Sequence, residues 1–188
     1  MLRISHFLFM ITSSRHPTLS SLCPSQYSSG GWLLASASSD RSVCIWDIRA
    51  IDFTRPPLQR IHHPQSVQSA EWAPSSPHLL TTCMDDFLRI YDSPSTTIQA
   101  RTIAHCTQTG RWVLPFRALW TADGQRVVCG GMTRSADVYT VATGELAISL
   151  SSGLMTSIPS RNAVHARGLA VACATGSGSL HLYYNCQS

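Results

Sequence analysis

The sequence predicts an all-β chain made of about four blades of a β-propeller, each blade being a small antiparallel sheet. Three observations support this prediction. Hydrophobic residues make up 44% of the 188 residues and charged residues only 13%, as in a compact domain. A segment with a similar ending occurs four times along the chain. Short strand-like segments and polar turns alternate between these endings, which is typical of all-β architecture.

The repeated ending is a short apolar segment with one aromatic residue near its end. The intervals between the four aromatic residues are 45, 48 and 44 residues. A blade of the WD-repeat type is about 40–45 residues long, so the period fits with small insertions. The endings are Val43–Asp47 with Trp46, Leu88–Asp92 with Tyr91, Ala136–Thr140 with Tyr139, and Leu180–Tyr184 with Tyr183.

Each ending is preceded by a strand of small and β-branched residues, and a polar turn joins the two. Another apolar strand comes earlier, as at Ser66–Pro74 and Phe116–Gly124, and a fourth strand fits after the ending. Four short strands in each period make a propeller blade. The strands before the turns are Leu33–Ser38, Leu79–Cys83, Arg126–Gly131 and Leu169–Gly176, and the fourth strands are LQRIH, QARTIAH and ELAISL.

These units divide the chain into an irregular segment and four blades. The predicted ranges are 1–15 for the irregular segment and 16–60, 61–105, 106–150 and 151–188 for the blades. The last two blades are degenerate, and the last includes the C-terminus. Because WD propellers typically have seven blades, we expect the chain to be the C-terminal part of a longer propeller.

Two aspartates in the turns predict a structural hydrogen bond within the first two blades. Asp40 and Asp85 both lie six residues before the blade aromatic. In WD blades this aspartate accepts a hydrogen bond from a histidine near the start of the blade. His16 precedes Asp40, and either His62 or His63 precedes Asp85, so we expect these histidines to be structural. Thr133 and Ser177 take the aspartate position in the later blades.

Composition and motifs indicate a binding module rather than an enzyme. The seven cysteines show no metal-binding spacing, and four of them lie in strand-like segments, as small buried residues do in a reducing compartment. No phosphate-binding loop, nucleophile elbow or zinc-protease motif occurs. We therefore predict no catalytic residue, no metal, no cofactor and no small-molecule substrate. The apolar N-terminus is short and interrupted by His6, so neither a signal peptide nor a membrane partner is expected.

Arginine is concentrated in one part of the chain. Residues 101–134 contain five arginines and a single acid, Asp123, so five minus one gives +4, which equals the net charge of the whole chain. A local arginine excess is the electrostatic signature of a phosphate-binding face. Five scattered, solvated charges are the alternative interpretation. The arginines are Arg101, Arg111, Arg117, Arg126 and Arg134.

Several segments resemble one family of WD-repeat proteins, which comprises WD repeat-containing protein 76 and its fungal DNA damage-binding counterpart. The resemblance covers residues 16–184, and its most specific part is the T-G-R-W segment. The small subunit of the UV-damaged-DNA-binding complex is a more distant relative. The segments are His105–Trp112, Phe116–Trp120, Ser66–Ala70, Leu80–Cys83, Leu88–Ser93, Asn162–His165 and Gly176–Tyr183.

The resemblance implies a nuclear protein that binds DNA with some preference for damaged DNA. The cytoplasm is the alternative location. In the UV-damage relative, a hairpin between two late blades inserts side chains into the duplex, and Gly110, Arg111 and Trp112 fall at that hairpin here. Arg117 and Arg134 complete the predicted DNA-binding set. A tryptophan can stack on an exposed base and an arginine can bind phosphate. Packing of Trp112 between blades is the alternative.

The first blade ends in a W-D-x-R box formed by Trp46, Asp47 and Arg49. Such a box resembles that of WD proteins that dock onto the damaged-DNA-binding adaptor of cullin-type ubiquitin ligases. This gives an alternative function, in which the chain is a general WD scaffold or a substrate receptor of such a ligase. Many WD repeats end in the same residues without docking, so the box itself does not decide between the functions.

Overall fold

The computed structural model describes residues 32–47, 49, 56–92, 100–109 and 115–184. Within these ranges the chain forms β-strands joined by turns, and no helix is long and apolar enough to cross a membrane. The strands form four separate antiparallel sheets that follow one another along the chain. The prediction of an all-β chain built from propeller blades is therefore confirmed.

The first two sheets contain the described strands up to residue 104. Sheet 1 has the strand order β1-β2-β3, and sheet 2 the order β4-β5-β6-β7. Strand β1 is Leu33–Ala37, β2 is Ser42–Asp47, β3 is Gln59–His62, β4 is Val67–Trp72, β5 is Leu79–Cys83, β6 is Phe87–Tyr91 and β7 is Ala100–Ala104.

The remaining strands form two further sheets. Sheet 3 has the order β8-β9-β10-β11, and sheet 4 the order β12-β13-β14. Strand β8 is Leu119–Trp120, β9 is Arg126–Gly131, β10 is Ser135–Thr140, β11 is Leu146–Leu150, β12 is Pro159–Val164, β13 is Ala170–Thr175 and β14 is Leu180–Tyr184. The four repeated endings thus become β2, β6, β10 and β14.

The strand expected at Phe116–Gly124 is shorter than predicted. Only Leu119 and Trp120 pair with β9, opposite Val128 and Val127. The backbone N–H of Ala118 instead donates to the Thr82 hydroxyl of sheet 2, at 3.0 Å. Phe116 is buried in the core between sheets 2 and 3. Contacts with the neighbouring blade therefore replace the ladder hydrogen bonds at the start of this strand.

The hydrophobic core lies between consecutive sheets. Ile45 and Val43 of sheet 1 pack in one cluster with Trp72 of sheet 2. Burying a side chain of this size stabilises the fold by roughly 1.5–3 kcal/mol, so each such interface contributes to holding neighbouring blades together. Polar contacts add to the packing, since the indole N–H of Trp120 in sheet 3 donates to the Glu71 carbonyl of sheet 2, at 3.1 Å.

Sheet 4 presents one face to solvent. Leu180, Leu182 and Tyr184 alternate along β14 and are all exposed, while Tyr183 packs on the cluster shared with sheet 3. Cys44, Cys83, Cys129 and Cys173 are buried and free, as expected for small apolar side chains. The irregular segment 1–15 and His16 lie outside the described residues.

The expected hydrogen bond between a histidine and Asp85 is wrong. His63 is buried, and its Nε2 contacts the Thr81 hydroxyl and the Tyr91 hydroxyl, both at 3.1 Å. Asp85 instead accepts two hydrogen bonds from Arg89. A bidentate charge-assisted pair is stronger than a bond to a neutral imidazole, so Arg89 takes the carboxylate. Although burial raises the pKa of Asp85, the hydrogen bonds from Arg89 contribute to lowering it overall.

Candidate nucleic-acid interface

One end of the sheets carries four equivalent turns, and we call this end the upper face. The turns join β1 to β2, β5 to β6, β9 to β10 and β13 to β14. The connections between sheets meet the same end, since the backbone N–H of Met84 bonds to Ser66 and that of His105 bonds to Asp86. The opposite end, with the connections at residues 73–78, 121–125 and 165–169, is called the lower face.

The connection between sheets 2 and 3 leaves sheet 2 and enters sheet 3 at the upper face, and its sequence contains the predicted DNA-binding segment. Gly110, Arg111 and Trp112 lie outside the described residues, so their placement stays a prediction. Both flanks of the segment are described. The chain leaves sheet 2 through residues 105–109 and enters sheet 3 through residues 115–118.

His105 fixes the start of this connection. Its Nε2 lies 2.9 Å from the Gly130 carbonyl and its Nδ1 lies 2.7 Å from the Tyr139 hydroxyl. Because a carbonyl only accepts, Nε2 carries the proton and the Tyr139 hydroxyl donates to Nδ1. Burial lowers the pKa of His105, which keeps the ring neutral in this arrangement. The imidazole thereby ties the connection to both β9 and β10.

Thr107 holds the next residues of the connection against the turn of sheet 2. Its backbone N–H donates to the Asp86 carboxylate at 2.8 Å, and its hydroxyl accepts from the Asp86 N–H at 3.0 Å. On the far side of the segment, Arg161 donates to the Pro115 carbonyl at 2.6 Å. The described flanks, residues 105–109 and 115–118, are therefore fixed by three sheets at the upper face.

The structure places the described arginines of residues 101–134 at both ends of the sheets, as the alternative interpretation of scattered charges expects. Arg101 pairs with Asp92 at 2.8 Å, at the lower end of its sheet. Arg126 is exposed at the lower face, where β9 begins. Arg117 and Arg134 lie on the upper side. The separation follows from strand direction, because the chain runs across the sheet several times within these 34 residues.

Arg134 occupies a strained position in the β9–β10 turn. Its φ is 60°, in the left-handed region, and the equivalent residues of the other turns are Arg41 (φ 69°), Asp86 (φ 64°) and Gly178 (φ 83°). An L-residue pays roughly 1–2 kcal/mol for this conformation, whereas glycine does not. The side chain of Arg134 is exposed, while Arg117 is half-buried between the buried Phe116 and Ala118.

Arg161 is a candidate that the sequence did not reveal. It lies in β12, outside the arginine-rich residues 101–134, and its local sequence carries no motif. Only the packing of β12 against β8 and β9 brings it to the connection between sheets 2 and 3. Arg161 is thus placed beside Pro115, a described flanking residue of that connection.

The W-D-x-R box lies at the lower face. The Trp46 indole N–H donates to the Ser36 hydroxyl at 3.0 Å, so this side chain is engaged within its own blade. Arg49 donates to both oxygens of Asp47, at 3.0 and 2.6 Å, and lies over the exposed ring of Trp32 at 5.4 Å. The hydrogen bonds from Arg49 lower the pKa of Asp47 to about 2. Arg49 still keeps 59% of its side chain exposed.

The described residues offer no cluster of metal ligands. Across those ranges, no three His, Cys, Asp or Glu side chains come together as metal ligands. Asp85 and Asp86 are engaged separately, because Asp85 binds Arg89 and Asp86 binds Thr107. Asp85 is also largely buried. The contacts of both carboxylates stabilise the fold.

Comparison with known proteins identifies the repeats and the relatives. Residues 9–47 and 55–92 match the family described as WD domain, G-beta repeat. WD repeat-containing protein 76 of Xenopus laevis is 33% identical over 183 residues, covering 93% of this chain and 29% of that protein. DNA damage-binding protein CMR1 of Chaetomium globosum is 36% identical over 173 residues, covering 80% of this chain and 33% of that protein.

A mammalian relative has the same name as the Xenopus protein. WD repeat-containing protein 76 of Mus musculus is 32% identical over 152 residues, covering 76% of this chain and 24% of that protein. The chain therefore spans about a third or less of the length of these curated relatives. Their names describe WD-repeat and DNA damage-binding proteins rather than enzymes. The chain is a WD40-repeat protein, homologous over most of its length to proteins named WD repeat-containing protein 76 and DNA damage-binding protein CMR1.

Proposed function

We propose that this protein binds DNA through its upper face, prefers damaged or distorted DNA, and acts in the DNA damage response in the nucleus. The observation that carries the proposal is the anchored connection between sheets 2 and 3. His105 and Thr107 hold one flank, and Arg161 holds the other. A ligand that contacts this connection meets flanks that are already ordered, which limits the conformational entropy lost there on binding. The name of the fungal relatives supports DNA as that ligand.

The two central side chains have separable roles in this proposal. Arg111 contacts phosphate, so Arg111→Ala is expected to weaken binding to every DNA. It should also reduce by about one the salt slope, which is the slope of the logarithm of affinity against the logarithm of salt concentration. Trp112 stacks on a base that has left the duplex. Trp112→Ala is therefore expected to cost roughly 1–3 kcal/mol on single-stranded or lesion-containing DNA and less on intact duplex. Fluorescence anisotropy at several salt concentrations measures both effects.

Matched controls come from the lower face. Arg126 and Trp32 are exposed there, so Arg126→Ala and Trp32→Ala are expected to bind DNA like the unchanged protein. Circular dichroism reports whether each variant is folded. Folded Arg111→Ala and Trp112→Ala variants that bind all three DNA substrates normally would contradict the proposal. Unfolding by Trp112→Ala would instead assign this residue to the core.

A second candidate function rests on the lower face. Arg49 is held by Asp47 over Trp32 while remaining largely exposed, so it is presented for contact with another protein. We propose, as the alternative, docking onto the adaptor of a cullin-type ubiquitin ligase. Arg49→Ala should reduce recovery of the purified adaptor in a pull-down, whereas Arg167→Ala, which removes an exposed charge at the same face, should not. Equal recovery of the adaptor with both variants would show that the W-D-x-R box is an ordinary blade ending without a docking role.

A further inference from the structure

A groove lies on the upper face between sheets 3 and 4. Its volume is about 950 Å³, and the β9–β10 turn and the β13–β14 turn form two of its walls. Arg134 and Arg161 line it together with the hydroxyl groups of Ser157, Thr175 and Ser177. None of the described lining residues is acidic. Two guanidinium groups beside several hydroxyls, without a carboxylate, form a lining suited to an anion.

The backbone conformation of Arg134 belongs to this type of turn. Arg134 has φ 60° in the left-handed region, as Arg41 and Asp86 do in the turns of sheets 1 and 2, and the equivalent residue of the β13–β14 turn is Gly178 with φ 83°. Glycine adopts this conformation without the strain that a side chain causes. Replacing Arg134 with glycine therefore removes the guanidinium at the edge of the groove and keeps the turn conformation favourable.

Arg161 connects the groove with the described end of the connection between sheets 2 and 3. Its Nη1 donates to the Pro115 carbonyl at 2.6 Å and to the Ser160 carbonyl at 3.0 Å. Pro115 is the first described residue of that connection after Thr109. The guanidinium therefore belongs to the groove lining and also contacts this connection.

The hydroxyl groups of the groove form a small network. The Ser177 hydroxyl lies 2.8 Å from the Ser157 hydroxyl and 3.0 Å from the Thr175 hydroxyl. A hydroxyl rotates to donate or accept as its neighbours require, so this network can reorient toward an oxyanion. The network joins the residues before β12 to the β13–β14 turn.

We propose that this groove binds one phosphate of the DNA backbone, with Arg134 and Arg161 as its cationic contacts. The inference rests on the proposed DNA-binding function and adds a phosphate contact in the space between sheets 3 and 4. DNA is favoured over a phosphorylated protein because the groove lies on the upper face, which is the face proposed to bind DNA, and because curated relatives are named DNA damage-binding proteins. The contact reads no sequence, since phosphates are common to all DNA.

The test is Arg134→Gly, since glycine suits the left-handed turn and the variant should keep its fold. Affinity for single-stranded and duplex DNA is expected to fall equally, by roughly 3–10-fold at low salt. The salt slope is expected to decrease by about one. The matched control is Arg41→Gly, the same change at the equivalent turn of sheet 1. We expect that variant to bind DNA within about twofold of the unchanged protein.

Three further results separate the groove from the wider proposal. Normal DNA binding by folded Arg134→Gly, with weakened binding by Arg111→Ala, would overturn the groove and leave the proposed function standing. Normal binding by both variants, or no DNA binding by the unchanged protein, would overturn both. A phosphoserine peptide that binds only when Arg134 is present, while DNA affinity does not depend on Arg134, would assign the groove to a phosphorylated protein and overturn the inference.

Discussion

Replacing Gly130 with alanine is expected to destabilise the protein by more than about 3 kcal/mol, beyond the usual range for overpacking a core. A Cβ at Gly130 would clash with the Pro159 carbonyl oxygen and lie 3.0 Å from the Phe116 ring. The Pro159 oxygen belongs to the backbone of β12, so it can move away only if sheet 4 shifts relative to sheet 3. Urea denaturation followed by tryptophan fluorescence measures the change in free energy of unfolding.

Gly153→Ala is the matched control for this prediction. No atom lies within 4 Å of the position that its Cβ would take, and its φ is not in the left-handed region. We expect this variant to stay within about 0.5 kcal/mol of the unchanged protein, as exposed substitutions usually do. A Gly130→Ala variant as stable as Gly153→Ala would show that sheets 3 and 4 do not approach each other as described. The position also matters for the DNA-binding segment, because His105 donates to the Gly130 carbonyl.

The stability of the protein is expected to fall as the pH is lowered from 6.5 to 4. Burial, together with the charge of Arg89, lowers the pKa of His63 to about 4. The unfolded chain protonates this histidine near its ordinary pKa of about 6.5, so between the two values the unfolded state binds more protons. Stability contributed by neutral His63 is therefore complete above pH 6.5 and is lost toward pH 4, a change of about 3 kcal/mol.

The comparison of His63→Gln with His62→Gln tests this expectation. Urea denaturation at pH 7.5 and pH 4.5 gives the loss of stability for each variant. The loss should be about 2–3 kcal/mol smaller for His63→Gln, while His62→Gln, which changes an exposed neighbour, should lose as much as the unchanged protein. Burial also lowers the pKa of His105, which acts in the same direction and remains in both variants. Equal losses in all three proteins would contradict the assignment.

The strands were predictable because their signals are local. Alternating apolar residues and turn residues recur at a fixed period, and the predicted endings correspond to β2, β6, β10 and β14. The segment at Phe116–Gly124 shows the limit of that reasoning. Its residues have strand composition, but the N–H of Ala118 finds its acceptor in a different sheet. Composition does not reveal which neighbour supplies a hydrogen-bond partner.

The candidate site was predictable only in part. The T-G-R-W segment was recognised from sequence, and its described flanks, residues 105–109 and 115–118, lie at the upper face. Arg161 was missed because it lies 46 residues beyond Pro115, whose carbonyl it binds. For a related reason, the sequence could not decide whether the arginines of residues 101–134 share a face or are scattered. Charge counted along a chain says little about a surface when the strands alternate in direction.

The sequence by itself determined the repeat, the strand positions, the apolar faces and the family resemblance. Each of these depends on residues that are neighbours along the chain or separated by one blade period. Only the tertiary structure decided that Asp85 pairs with Arg89 rather than His63, that Arg101 and Arg126 lie away from Arg134, and that Arg161 joins Arg134 in one groove. The physical reason is that hydrogen bonds and charge act over a few ångströms in space. Those distances exist only after consecutive sheets have packed against one another.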